Sequence, residues 1–206
     1  MRRMQPEDRR QAIVEAAVAV ALRKGLAGAT ARDVAAEMGT SSGLIHHYFA
    51  SMDEVLASAF ELVAGADLDR TIGAMAGEPD PAGKLRAFFE TYAPADDDRA
   101  FELWLDAWSE AARRPALRTT SLRLNEAWQR ALAEVMRAGA VEGSPAAEDP
   151  DGSAWRVISL LDGLALQVVA HRANISREMA IGWAVTFTER ELGIPQGAIR
   201  VPRSRS

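Results

Sequence analysis

Residues 30–49 carry the pattern that most restricts what this chain can fold into. Thr30 precedes a short segment with Val34, Ala35 and Met38 at helical spacing, Gly39-Thr40-Ser41 interrupts it, and Leu44, Ile45 and Phe49 resume an apolar face. Two short helices joined by a three-residue turn form a helix-turn-helix. Thr30 and Ser41 stand where the two helices need N-caps, and Asp33 supplies the acid of a first turn. The apolar positions can pack on a preceding helix over 7–24, where Ile13, Ala16, Ala17, Val20 and Ala21 recur at 3/4 spacing and Gly25 is the expected C-cap. Small Ala35 lets the paired helices approach closely. What points outward on the second is polar and short-stemmed: Ser42, Gly43, His46 and His47. A helix that enters a DNA major groove needs such residues, because its first turn must reach base edges and phosphates without a bulky barrier.

The rest of the chain agrees with an all-α fold. There are 40 alanines against two tyrosines and six phenylalanines, a bias toward helix rather than strand. Breakers and caps divide the 206 residues into about nine helices, over 7–24, 31–38, 42–49, 52–75, 81–92, 98–113, 115–140, 153–172 and 177–192. Pro81 and Pro115 suit the first position of their helices, and Ser176 caps the last. Residues 142–152 read as a loop. This gives a three-helix head over 1–52, a larger helical domain over 53–195 and a loose basic tail over 196–206 with Arg200, Arg203 and Arg205. With no cysteine there is no disulfide, thiolate metal site or cysteine nucleophile. No signal peptide or spanning run is evident, so the expectation is a cytoplasmic protein with no membrane partner. Residues 1–52 hold seven basic and five acidic side chains, whereas the remainder is net −7. A basic head on an acidic body suits a nucleic-acid contact at the N-terminus.

The string from Thr30 to Phe49, with Asp53-Glu-Val-Leu after it, resembles the DNA-binding domain of the TetR family of bacterial repressors. Turn, recognition helix and trailing aromatic pair stand in register over about residues 8–60. Gly43-Leu-Ile-His-His-Tyr-Phe resembles the choline-responsive, BetI-like branch, as do Phe101-Glu-Leu-Trp-Leu-Asp-Ala-Trp, Pro115-Ala-Leu-Arg and Leu160-Leu-Asp-Gly-Leu. The resemblance implies that Thr30, Thr40, Ser41 and Tyr48 meet phosphates, and that Gly43, His46 and His47 reach into the major groove. Ser42 and Arg32 join that set. Many relatives carry a lysine where this chain has Met52, a lost phosphate contact that Arg32 or the cluster Arg2, Arg3, Arg9 and Arg10 can replace.

Two features of the larger domain complete the expectation. Trp104 and Trp108 are four apart and share a helix face. With Phe89, Tyr92, Trp128 and Asp162 they make a candidate effector cavity. Indoles beside carboxylates suit an organic cation, with the loop acids Asp96, Asp97 and Asp98 adding a negative approach field. An uncharged hydrophobic metabolite is the alternative occupant, and side chains that simply fill a core are another use of the same rings. The last two long helices are apolar around much of their girth, so a second copy of the chain is expected to cover one side. Ile158, Leu161, Ala165, Val168, Ile181 and Val185 are the candidate homodimer contacts, and the resemblance implies a four-helix bundle there. The function read from the sequence is therefore a repressor that binds a double-stranded palindromic operator as a dimer and leaves it when a small molecule binds. A protein-only helical adaptor and a small helical enzyme are the competing classes. No catalytic constellation, metal site or cofactor motif supports the enzyme; the i,i+4 acids Asp106 and Glu110 read as a solvated face.

Overall fold

Caps and prolines set the helix borders in the computed structural model, which describes residues 5–92, 99–141, 143–171 and 175–201, with the backbone alone at 99, 100 and 171. Arg2, Arg3, Asp96, Asp97, Asp98, Arg203 and Arg205, named in the sequence analysis, lie outside the described residues. Every regular element among the described residues is helical: α1 (Pro6–Gly28), α2 (Ala31–Glu37), α3 (Ser42–Tyr48), α4 (Met52–Ala76), α5 (Pro81–Tyr92), α6 (Arg99–Ala111), α7 (Pro115–Gly139), α8 (Pro145–Glu148), α9 (Pro150–Leu166), a π-helical turn (Gln167–His171) and α10 (Arg177–Leu192).

Three borders differ from the sequence reading. Gly25 does not end α1; it kinks it, at φ 73° and ψ 162°, and helical turns continue to Gly28. That backbone conformation is open to glycine and strained for other residues. The expected loop over 142–152 contains α8 and the start of α9. Its Ser-Pro and Asp-Pro pairs act as caps rather than breakers: Ser144 Oγ accepts from Ala147 N–H, and Asp149 accepts from Gly152 N–H, with proline in the first turn each time. Residues after 195 are not wholly loose either. Ile199 is buried, and the buried carboxylate of Glu189 accepts the backbone N–H groups of Gly197 and Ile199 at 2.8 and 2.9 Å.

Residues 1–66 with 99–124 form one compact unit, and 67–98 with 125–206 a second. In the first, α1, α2, α3, the start of α4, α6 and the start of α7 enclose Ile13, Ala17, Val20, Leu26, Val34, Ile45, Phe49, Leu56, Phe60 and Leu117. Val34, Ala35, Ile45 and Phe49 are buried as the apolar pattern requires, and Met38 and Leu44 are half-buried. In the second, α5, α9 and α10, with the remaining parts of α4 and α7, enclose Leu85, Phe88, Phe89, Leu132, Met136, Val157, Ile158, Leu161 and Leu192. The stretch Pro150–Ala170 is long and apolar enough to cross a membrane by length and composition, yet only 28% of it is buried within this chain.

Candidate functional site

The head presents its second short helix as the sequence requires. Thr30 and Asp33 form a reciprocal capping box: Thr30 Oγ1 accepts from Asp33 N–H, and Asp33 Oδ2 accepts from Thr30 N–H at 3.2 Å and from the Thr30 hydroxyl at 2.7 Å. Lys24 also reaches Asp33, at 2.5 Å, and these bonds, that of Lys24 first, hold the Asp33 carboxyl down at about 2. Ser41 stands at the N-cap of α3 without a side-chain cap bond. Ser42, Gly43, His46 and His47 are exposed, as are Thr30, Arg32, Thr40 and Ser41, whereas Tyr48 is half-buried with its ring edge-on to His47.

Several basic side chains expected to give the head its positive field are engaged inside it. Arg23 pairs with Glu37 at 2.5 Å and Lys24 with Asp33. Arg10 lies 3.9 Å over the Phe49 ring and donates to the Tyr48 carbonyl at 2.9 Å. It therefore satisfies a C-terminal carbonyl of α3 with a cation, the favourable sign at that end of a helix. Its pairing with Phe49 is not visible in sequence spacing, because the partners are 38–39 positions apart.

The aromatic candidates fall into two clusters. In the first unit Trp104 packs edge-on against Phe60 at 4.8 Å and tilts against Trp108 at 5.4 Å, and Trp108 meets Phe101 at 6.1 Å. The carboxylates of that helix are engaged: Asp106 accepts from Leu26 N–H at 2.9 Å, and Glu110 is buried between Arg113 and Arg114 at 2.6 and 3.0 Å, which hold its carboxyl below the usual range. Neither Asp106 nor Glu110 is the solvated group its spacing suggested. A cleft of about 300 Å³ opens between α1 and α6, with Arg23, Glu102 and Asp106 on its walls, and none of the six expected effector residues lines it.

In the second unit Phe88, Tyr92 and Trp128 form a triangle of rings with centroids 5.6–5.9 Å apart. Phe89, fully buried, touches it through Phe88 at 5.4 Å. Phe88 was outside the sequence-derived set; its i,i+4 spacing to Tyr92 on α5 was the available signal. The Tyr92 hydroxyl donates to Oδ1 of Asp162 on α9. Burial pushes the Asp162 carboxyl up to about 6, against the lowering effect of that bond, and burial with the nearby carboxylate pushes the Tyr92 hydroxyl well above 10. Tyr92 is the partner of Asp162, and among the described residues no basic side chain pairs with it. A carboxylate bonded to the hydroxyl of a ring that itself packs against Phe88 and Trp128, and with no basic partner among the described residues, is a place where an organic cation gains charge pairing close to aromatic rings.

The candidate dimer residues divide. Ile158 and Leu161 are only 2% exposed and Val185 is buried as well, so they are core of the second unit rather than an open face. Ala165, Val168 and Ile181 are half-buried. The apolar side chains left open are others: Trp155 (37% exposed) and Leu166 (40%) on α9, Met179 (43%) and Trp183 (48%) on α10. Each pair shares one face of its helix, being 11 and 4 residues apart.

Residues 13–59 match the bacterial regulatory proteins of the tetR family, and residues 81–193 match the C-terminal domain of BetI-type transcriptional repressors. The HTH-type transcriptional regulator BetI of Rhizobium meliloti (strain 1021) is 27% identical over 186 residues, 89% of each chain. A transcriptional regulator from Saccharomonospora viridis, solved in complex with choline, superposes with a TM-score of 0.79 at 26% identity, covering 90% of this chain and 98% of that one. The multidrug binding protein EbrR, solved with ethidium, superposes with a TM-score of 0.65 at 26% identity, covering 87% and 98%.

Proposed function

Because the chain belongs to the TetR family and carries a BetI-type C-terminal domain, we propose that a small organic cation is its effector, bound by Asp162 with Phe88, Tyr92 and Trp128. Membership makes the chain a ligand-responsive DNA-binding transcriptional regulator and not an enzyme. The observation that carries the finer reading is the Asp162 carboxylate, bonded to the hydroxyl of Tyr92 within the ring cluster and without a basic partner among the described residues. Choline and ethidium, the ligands of two structural neighbours, are both organic cations. Phe89 backs the cluster. Trp104 and Trp108 belong to the separate cluster of the first unit and serve packing there.

The head over 1–52 binds an operator, and the residues over 53–195 receive the effector and pair the chains. Exposed Ser42, Gly43, His46 and His47 read the major groove, while Thr30, Arg32, Thr40, Ser41 and Tyr48 meet phosphates. Two copies join through the α9 and α10 faces bearing Trp155, Leu166, Met179 and Trp183, with Ala165, Val168 and Ile181 at the margin. Subunit contact rather than lipid accounts for the apolar character of α9, in a protein that works on cytoplasmic DNA. The operator is then palindromic, with half-sites one turn, about 34–36 Å, or a multiple apart. Ligand-free protein represses, and the cation favours a state of lower DNA affinity.

The test is an operator mobility shift titrated with choline, ethidium and a neutral aromatic of similar size. Release by a cation, lost in Asp162→Asn, supports the reading. Release by the neutral compound alone points to a hydrophobic metabolite, and release by none of them leaves the rings as packed core.

A further inference from the structure

Asp53 follows the recognition helix by five residues, and the operator and effector sites leave it without a role. Its side chain is half-buried at the start of α4, and both of its oxygens accept from the first turn of α7: Oδ2 from Ala116 N–H at 2.9 Å, and Oδ1 from Leu117 N–H at 3.3 Å. The opening N–H groups of a helix have no partner within it. At α7 the position before Pro115 is Arg114, whose side chain is a donor engaged with Glu110 at 3.0 Å and cannot cap. The sequence of α7 therefore supplies no cap of its own, and a distant residue does.

The same short stretch is tied to the link that follows the recognition helix. Glu54 accepts from Ala50 N–H at 3.0 Å, and Ser51 Oγ accepts from Glu54 N–H at 3.2 Å, two residues after α3 ends. Asp53 and Glu54 thus join the link directly after α3, at Ala50 and Ser51, to the first turn of α7. α7 is one continuous helix of 25 residues, and Trp128 lies on it about three turns beyond Ala116.

We propose that Asp53 is a positioning residue that couples α7 to the DNA-reading helix, so that a shift of α7 set by the effector cluster moves α3 through the Asp53 carboxylate. The effector half of this statement rests on the reading of Asp162 and its rings given above; the link between Asp53 and α7 does not. Coupling of two sites in regulators amounts to about 5–150-fold in affinity and is reciprocal. Both directions are therefore measurable.

The experiment compares wild type with Asp53→Ala and with Asp53→Asn, which keeps one carbonyl acceptor. Amide hydrogen exchange is followed with and without an operator fragment selected from random DNA. In wild type, DNA slows exchange at Ala116 and Leu117 and along α7 to Trp128. In Asp53→Ala the slowing stays within the head, and Asp53→Asn is intermediate. In parallel, operator affinity is measured with and without ethidium or choline: the wild-type ratio falls to within about twofold of unity in Asp53→Ala. If DNA still slows exchange along α7 in Asp53→Ala, or if the variant loses protection equally with and without DNA, Asp53 is a structural cap only and the proposal fails. If neither cation releases wild-type protein while the exchange pattern changes as described, the effector reading fails and the coupling role stands.

Discussion

Asp162 offers the sharpest quantitative test, because its burial sets a stability and an affinity of opposite sign. Burial raises this carboxyl from 3.8 to about 6. The folded chain therefore keeps a proton that the unfolded chain releases between about pH 4 and pH 6. Stability from this group is fully present below pH 4 and is lost as pH rises through 6. A shift of this size corresponds to at most about 3 kcal/mol of strain at pH 7. Asp162→Asn removes the charge while its amide oxygen still accepts from Tyr92. It should stabilise the ligand-free protein at pH 7 by up to that amount, several degrees in Tm, and flatten the pH dependence between 4 and 6. A cation pairs only with the ionised form. Wild-type affinity for ethidium should then fall about tenfold from pH 7.5 to pH 5, where roughly one molecule in ten is ionised. The Tyr92 hydroxyl stays protonated throughout that range, being raised well above 10. Tryptophan fluorescence titrations at the two pH values read the affinity, and thermal melts read the stability. Affinity independent of pH in wild type, or Asp162→Asn no more stable than wild type at pH 7, refutes the reasoning.

Other outcomes follow from the same geometry. His46→Ala and His47→Ala should each cost about 1–3 kcal/mol on the operator and far less on random DNA; equal losses on both would exclude base readout. Trp183→Glu places a charge on the open face of α10 and should give monomers by light scattering with helicity retained, whereas Val185→Glu, buried within its own unit, should lower helicity as well. Gly25→Ala forces a side chain into φ 73° and brings its Cβ 2.8 Å from Asp106 Oδ2, so a loss of about 1–3 kcal/mol in denaturant unfolding is expected; an unchanged midpoint would mean that the kink is not required.

The all-α class, the helix-turn-helix and its outward residues were legible because each rests on local rules. Thr30 caps and Val34 and Ile45 are buried through spacing and short-range hydrogen bonds, and such rules need no knowledge of the rest of the chain. Where local signals conflicted, the sequence misled: Ser144-Pro145 and Asp149-Pro150 read as breakers although each is a cap followed by a tolerated proline. Apolar periodicity marked α9 and α10 as covered on more than one side but could not say which side is the chain's own core. Ile158 and Leu161 turned inward, and Trp155 and Trp183 stayed open. Tertiary structure alone decided the pairings between distant residues: Arg10 on Phe49, Asp106 on the Leu26 amide, Asp53 on α7, and Tyr92 on Asp162. The physical reason is common to all four. A charged side chain takes whichever partner the packed helices bring to it, and no periodicity in the sequence encodes a meeting between positions 39 to 80 residues apart.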